Sequence, residues 1–399
     1  MKNRFYFYLS GFFGNFYFER GIWILYLLHL KFSLYEIGIL QAILNITMTV
    51  FELPSGIISD YLRRKKTLFL GHLFIILYMV IFVFSQDFWF LALGHVIYGI
   101  GLSLISGTEE SYLYESYEKE GKVESYGKGI GIYVACVTAA LALSMGLGGY
   151  LQLFSWHLIF YMGIFMHLLS LIFIFSLEDA DIYEKSSKQS IKSILKDSYN
   201  VLRENTTLVY LIFALAIFSS IISVYFMYGQ TLLFNLQIDI KEVGLIFSII
   251  SLLQIVTSLI SSKISDKYNQ RDTIFFILFI ILIFYLVSLI NNTYLVLLAF
   301  IVINTLYALF EPITSVLFNN EVKTNIRATL LSVINFATSL IMAIIFPLIG
   351  FIGEYVELNI VLVTVGISSL MVCFCCLFVY FKRKQPNRIV ESNSSIDIS

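Results

Sequence analysis

Charge is what this chain has least of. Of its 399 residues only 13% are charged, while 58% are hydrophobic and 17% aromatic. Soluble globular domains carry about twice that charged fraction, so a water-soluble fold is excluded. Lys and Arg number 26 against 27 Asp and Glu, a net charge of -1. No basic field exists to hold nucleic acid. Cysteine is scarce as well. Cys136, Cys373, Cys375 and Cys376 lie inside apolar runs, where they offer neither a disulfide framework nor zinc-ligand spacing and read as small packing residues. The patterns G-x-x-x-x-G-K-[ST], H-E-x-x-H and G-x-S-x-G are absent, which argues against ATP as a direct driver and against the hydrolase chemistries those patterns carry. Gly127, Gly129 and Gly131 form a short alternating set without the strand-turn-helix context of a nucleotide site. The apolar run after Met1 to Arg4 is too long for a signal-peptide core and lacks a small-residue cleavage site, so it reads as a permanent anchor. No cofactor, no metal and no enzymatic activity are expected.

Apolar runs are present in abundance. A membrane-spanning helix needs ~20 mostly apolar residues, and twelve such runs are expected, at 5–30, 37–58, 67–84, 88–113, 129–151, 158–177, 208–233, 243–264, 273–290, 294–318, 328–349 and 360–381. Placing the N-terminus inside puts every Lys and Arg on the cytoplasmic side except Lys31, Lys241 and Arg20, the last within a span. That asymmetry predicts two cytoplasmic termini and an even number of spans. The predicted fold is an all-α integral membrane protein of 12 transmembrane helices in two six-helix bundles, 1–177 and 208–382. Between them runs a polar cytoplasmic linker, 178–207, in which Ile191, Ile194, Leu195, Ser198 and Leu202 recur at helical spacing. That spacing suggests an amphipathic helix on the inner membrane surface, or a plain solvated linker. A polar cytoplasmic tail, 383–399, is expected to be disordered.

The two halves read as a duplication. Shifted by 206 residues, LYEIGILQAI at Leu34 aligns with IKEVGLIFSI at Ile240, and GIISDY at Gly56 with SKISDK at Ser262, without a gap. Glu36, Gly38, Ile43, Val50, Leu53, Ser55, Ile58, Ser59, Asp60 and Thr67 all find identical partners. Six helices per repeat is even, so both repeats insert in the same orientation, about an axis along the membrane normal, and can rock around a central cavity.

The loop after the second span, GIISDYLRRKKTL, resembles the major facilitator superfamily signature in Gly56, Asp60, Arg64, Lys65 and Lys66, and departs from it at Arg63, where the family usually has Gly. The second-half copy keeps Asp266 and Arg271 but has Ser262 and Gln270 at other signature positions. GLGGYL at the end of span five, the following SWHLIFY, and RATLLS at Arg327 are similar to the same family. FELPSG at Phe51 and SGTEESYLYES at Ser106 resemble bacterial members grouped with drug and metabolite exporters. The resemblance implies a secondary transporter with the twelve-helix fold. Physically, Glu52, Gly56 and Asp60 share one face of span two at i, i+4 and i+8. Gly56 would admit a neighbouring helix closely. Asp60 can pair with Arg64 or cap a cytoplasmic helix end, a latch that holds in one conformation and breaks in the other. Arg63 to Lys66 also read as an ordinary topology signal.

Ionisable groups at membrane depth cost about 2.5–3.5 kcal/mol each even on a lenient scale, so each is a site hypothesis. Glu19 and Arg20 in span one, Glu52 in span two, His95, Glu109 and Glu110 in span four, His167 in span six and Glu311 in span ten qualify. Counting ~1.5 Å per residue from Phe5 puts Glu19 ~21 Å along a continuous helix. Arg20 points elsewhere, so each is expected to pair with another helix, as a coupling or substrate residue or as a structural salt bridge. Glu52, Glu109 and Glu110 lie toward the cytoplasmic interface, where charge is cheaper. Pro312 can kink span ten beside Glu311. His95 and His167 also fit as satisfied core residues. Tyr17, Trp23, Tyr26, Tyr225 and Tyr228 are expected to line a cavity, because the first helix of each repeat does so in folds of this type.

The expected function is secondary transport of a small organic molecule by alternating access, proton-coupled and exporting, by a monomer in the cell membrane of a bacterium, with the lipid bilayer and protons as its other partners. Uptake by symport, a membrane enzyme acting on lipid, and a sensor that does not transport are the alternatives; external loops of a few residues argue against the enzyme.

Overall fold

The computed structural model describes residues 2–178, 203, 205–290, 292–322 and 324–384. The proposed amphipathic helix in the linker and the tail from 385 onward lie outside them. Among the described residues the helices run in order as α1 (Lys2–Phe13), α2 (Trp23–His29), α3 (Leu34–Leu62), α4 (Arg64–Phe84), α5 (Phe88–Ile105), α6 (Thr108–Lys119), α7 (Tyr126–Leu151), α8 (Trp156–Phe175), α9 (Thr206–Asn235), α10 (Ile240–Lys267), α11 (Gln270–Val287), α12 (Thr293–Glu321), α13 (Thr324–Gly353) and α14 (Leu358–Lys384). Eleven described segments are long and apolar enough to cross a membrane alone. The first span is shared by the two shorter helices α1 and α2, which fits the twelve-helix architecture.

The duplication is visible in the helix starts. α3 begins at Leu34 and α10 at Ile240, α4 at Arg64 and α11 at Gln270, both pairs 206 residues apart as the sequence alignment requires. Symmetry fails in two places. The expected continuous helix over 5–30 is interrupted at residues 14–22, whereas its counterpart α9 is unbroken. The fourth span likewise breaks at Ser106 and Gly107, where Gly107 takes φ +69°, while α12 runs continuously through Pro312. Gly14, Asn15 and Gly21 fall in the first break, and glycine costs about 1 kcal/mol against alanine inside a helix.

The turn at Arg63 bears on the signature. Arg63 has φ 74° and ψ 146°, a region that is essentially reserved for glycine, so the chain keeps the glycine-shaped turn with an arginine in it. Its repeat counterpart Asn269 has an ordinary φ of -63° and caps α11 through Arg271 N.

The chain divides into two compact units. The first comprises the described residues of Met1–Lys185, Met227–Ile255 and Ala343–Leu358, the second those of Ser186–Phe226, Val256–Met342 and Asn359–Ser399. This division cuts across the bundles 1–177 and 208–382, because the last turns of α9, the first half of α10 and the end of α13 pack with first-half helices. Within the first unit α4 packs on α5 and α8, and α1 on α7 and α8. The glycines of GLGGYL explain its tightness. A Cβ on Gly148 would collide with the carbonyl oxygen of Phe18 in the first-span break, and one on Gly149 would lie 2.9 Å from the Lys241 Cα of α10. In the second unit α11 packs on α12.

Candidate functional site

Unwinding a helix within a membrane frees backbone groups that lipid cannot satisfy, so a break persists only where protein supplies partners. Three side chains do so in and beside residues 14–22. Asn15 Nδ2 donates to the Gly11 carbonyl at 2.8 Å, and Ser170 of α8 donates to the Ser10 carbonyl at 2.8 Å. Gln230 of α9, wholly buried, spans the other end: its Oε1 accepts from Ile24 N at 3.0 Å and its Nε2 donates to the Arg20 carbonyl at 2.9 Å. One amide thus closes both a free donor and a free acceptor of the broken span.

The break turns Glu19 into the bundle. Its residue is 4% exposed, and among the described residues its Oε2 has no hydrogen-bond partner. Tyr17, Tyr78 and Tyr98 lie within its electrostatic reach. The Tyr78 and Tyr98 rings stack at 4.3 Å, Tyr17 reaches Tyr98 at 6.1 Å and His167 at 5.3 Å, and Trp23 contacts His95 at 5.9 Å. Among the described residues the buried Trp23 indole nitrogen has no partner, and His95 Nδ1 pairs with the Leu91 carbonyl at 2.9 Å. The Glu19 carboxylate and the Tyr17 ring on the non-helical segment, the Tyr78 and Tyr98 rings, and the Trp23 indole at the start of α2 therefore lie along one stretch of the broken span. Such a set can hold a proton, a cation or a polar group of an otherwise flat apolar molecule.

The other expected residues fall in several places. Arg20, next to Glu19, is exposed, and among the described residues neither makes an ion pair, so the two interhelical partners expected for them are not found. The continuous-helix count for Glu19 is replaced by its place in the break. Glu109 is partly buried in the first turn of α6, beside the Tyr133 hydroxyl. Glu110 and Glu52 are exposed. Tyr26 packs against Trp156 and Phe160 and donates to the Phe82 carbonyl at 3.0 Å. Tyr228 donates to the Phe346 carbonyl at 2.8 Å, joining α9 to α13 within the first unit. In the second unit Tyr225 is buried against Tyr285 and Phe300, its hydroxyl unpartnered among the described residues, and Glu311 is exposed with Tyr307 one turn before it.

At the signature, Arg64 gathers three partners: Asp60 at 2.7 Å, Glu115 of α6 at 3.0 Å and the Ser59 hydroxyl at 2.9 Å. Thr108 donates to that same hydroxyl at 2.9 Å. With Glu110, Ser111, Tyr114 and Tyr126, Arg64 and Glu115 line a cavity of about 300 Å³. Lys65 donates to the carbonyls of Phe175 and Leu177 at 2.8 and 2.6 Å, capping the end of α8 with a cation. A Cβ on Gly56 would meet nothing within 4 Å, so the close helix approach expected there is not made among the described residues. In the second copy Gln270 Nε2 bonds Ser265 at 3.2 Å, repeating the Arg64–Ser59 bond without its charge. Asp266 is exposed there, and Arg271 lies 6.0 Å over the Phe381 ring.

Sequence reasoning missed Gln230, His72 and Glu115. Glu115 sits inside SGTEESYLYES and was readable there. Gln230 carries no charge, so a search for ionisable groups in spans passes over it.

Fourteen helices among the described residues, which fit twelve crossings, with signature turns in register in both halves, define a multi-pass membrane protein built by duplication. The Major Facilitator Superfamily profile matches residues 8–237 and again 211–395, and the chain belongs to that family. It is 23% identical over 256 residues to the uncharacterized MFS-type transporter YxaM of Bacillus subtilis (strain 168), a stretch that spans 63% of this chain and 63% of that relative. The solved nucleoside transporter NupG superposes with a TM-score of 0.79 at 16% identity, over 95% of this chain and 98% of that one. A D-xylose-proton symporter superposes at 0.73 with 12% identity, over 93% and 96%. These two likenesses show the fold.

Proposed function

We propose that the protein is a proton-coupled secondary transporter of a small organic molecule, working by alternating access between bundles 1–177 and 208–382 with both termini cytoplasmic. The observation that carries this is Glu19, a buried carboxylate with one oxygen unpartnered among the described residues, in a broken first span whose loose backbone ends are held by Gln230 of α9. A protonatable group on the first helix of one repeat, fastened to the first helix of the other, ties proton loading to gating. Arg64, held by Asp60 and Glu115, is the latch at the signature end. Export in exchange for protons is the direction, supported by the exporter-like stretches at Phe51 and Ser106.

Everted membrane vesicles, acidified inside by respiration and followed with a pH-sensitive dye, test this against a panel of amphipathic aromatic compounds. Export predicts that at least one compound raises lumenal pH in vesicles carrying the intact chain and not in those carrying Glu19→Gln. A transported compound whose flux is unaffected by collapse of the gradient would reject the coupling.

A further inference from the structure

Apart from Glu19, the first unit buries a second polar group that the proposed mechanism does not use. His72 of α4 and His167 of α8 are 2% and 0% exposed, and their Nδ1 atoms lie 3.0 Å apart. Such a contact needs one N–H between the two nitrogens. Their outer nitrogens decide which ring supplies it. His72 Nε2 lies 3.5 Å from Ser170 Oγ. Ser170 spends its own proton on the Ser10 carbonyl at 2.8 Å, so toward His72 its oxygen can only accept. His72 therefore carries its proton on Nε2 and accepts at Nδ1, and His167 donates from Nδ1. That leaves His167 Nε2 a bare lone pair, and among the described residues this atom is buried without a partner.

The pair borders the first-span break. Gly14 lies against the His72 ring, and the Tyr17 ring meets His167 at 5.3 Å edge to face. Tyr17 presents itself from the break, His72 from α4, Tyr98 from α5 behind Tyr17, and Ser170 from α8. The carboxylates Glu19 and Glu109 and the Arg20 cation act on Tyr17, one contact away.

We infer that His167 Nε2 is a proton-binding site, and that the imidazolium it forms is held by donation from His167 Nδ1 to His72 Nδ1, with His72 held in turn by Ser170 and the Ser10 carbonyl. The incoming proton adds to the lone pair and no bond breaks. Two imidazolium rings 3.0 Å apart would repel strongly in a low-dielectric interior, so the pair takes one proton and not two. Because the site rests on Gly14 and Tyr17, loading it biases the same broken segment that carries Glu19. The inference does not rest on the transport reading, and its test needs no substrate.

The test is ¹⁵N-histidine NMR of the full chain in lipid bilayers, with His72→Gln and His167→Gln for assignment and His29 and His157 as internal references. At alkaline pH the expected spectrum shows His167 bare at Nε2 and protonated at Nδ1, with His72 the opposite tautomer. On acidification the His167 Nε2 signal moves to the protonated position in a single one-proton step while His72 stays neutral. In His72→Gln, which offers a neutral oxygen in place of the basic nitrogen, the midpoint falls by at least one pH unit, a tenfold weaker proton affinity. If that variant does not fold, the tautomers and single step of the unaltered chain decide alone. Reversed tautomers, two independent titrations, or no titration down to the pH at which the fold is lost would each overturn the inference.

Discussion

Replacing Gln230 by Met tests how the broken span is held. Met matches Gln in length and adapts to the same space, so the loss is confined to two hydrogen bonds, to Ile24 N and from the side chain to the Arg20 carbonyl. A buried backbone group left unpaired costs about 1–3 kcal/mol. Two such groups give about 2–6 kcal/mol, and the lower end applies because the variant no longer buries an amide of its own. At tenfold per 1.4 kcal/mol, about 2 kcal/mol makes local opening of the segment roughly 30-fold more frequent. Hydrogen–deuterium exchange of the peptide covering residues 20–26, in lipid nanodiscs, reads that ratio directly. Faster exchange confined to this segment is the expected result. A rate equal to that of the unaltered chain would refute the claim that Gln230 holds the break.

Further consequences concern the turn, the tight packing and the latch. Arg63→Gly relieves a backbone conformation that disfavours side chains by about 1–2 kcal/mol and is expected to raise the thermal midpoint in detergent; a fall would contradict the glycine-shaped turn. Gly148→Ala drives a methyl group into the Phe18 carbonyl and is expected to destabilise by about 1–3 kcal/mol, with an unchanged melting temperature as the contrary result. Arg64→Ala breaks the pairs to Asp60 and Glu115, and with Asp60 half exposed the stability loss should be about 1 kcal/mol or less. Arg64→Lys should recover less than half of any lost flux, because an ammonium cannot bond both carboxylates and Ser59 in one plane.

Much of the architecture was readable because hydrophobic length and the 206-residue repeat report on the same physical constraint. A membrane sets a minimum apolar length for each crossing, and duplication repeats the helix starts, as Leu34 and Ile240 or Arg64 and Gln270 show. The breaks were harder to read. Residues 14–22 lie inside a run that reads as one apolar span, and the signs of unwinding, Gly14 with Asn15 and Gly21, are weak locally. What decides the matter lies far along the chain, in Gln230, Ser170 and Gly148. The pairing of Arg64 with Asp60 follows from i, i+4 spacing, whereas its bond to Glu115 depends on α6 folding back after Gly107. Glu19 and His167 were singled out by residue type, but the loss of partners for Glu19 Oε2 and His167 Nε2 is a property of packing.

The central claim is that Glu19 couples proton movement to the carried molecule. Once a transported compound is known, proteoliposomes holding the intact chain or Glu19→Gln can be compared in two modes, accumulation driven by a pH gradient and counterflow without one. The account predicts that Glu19→Gln loses gradient-driven accumulation and keeps counterflow. Accumulation equal to that of the intact chain would contradict it.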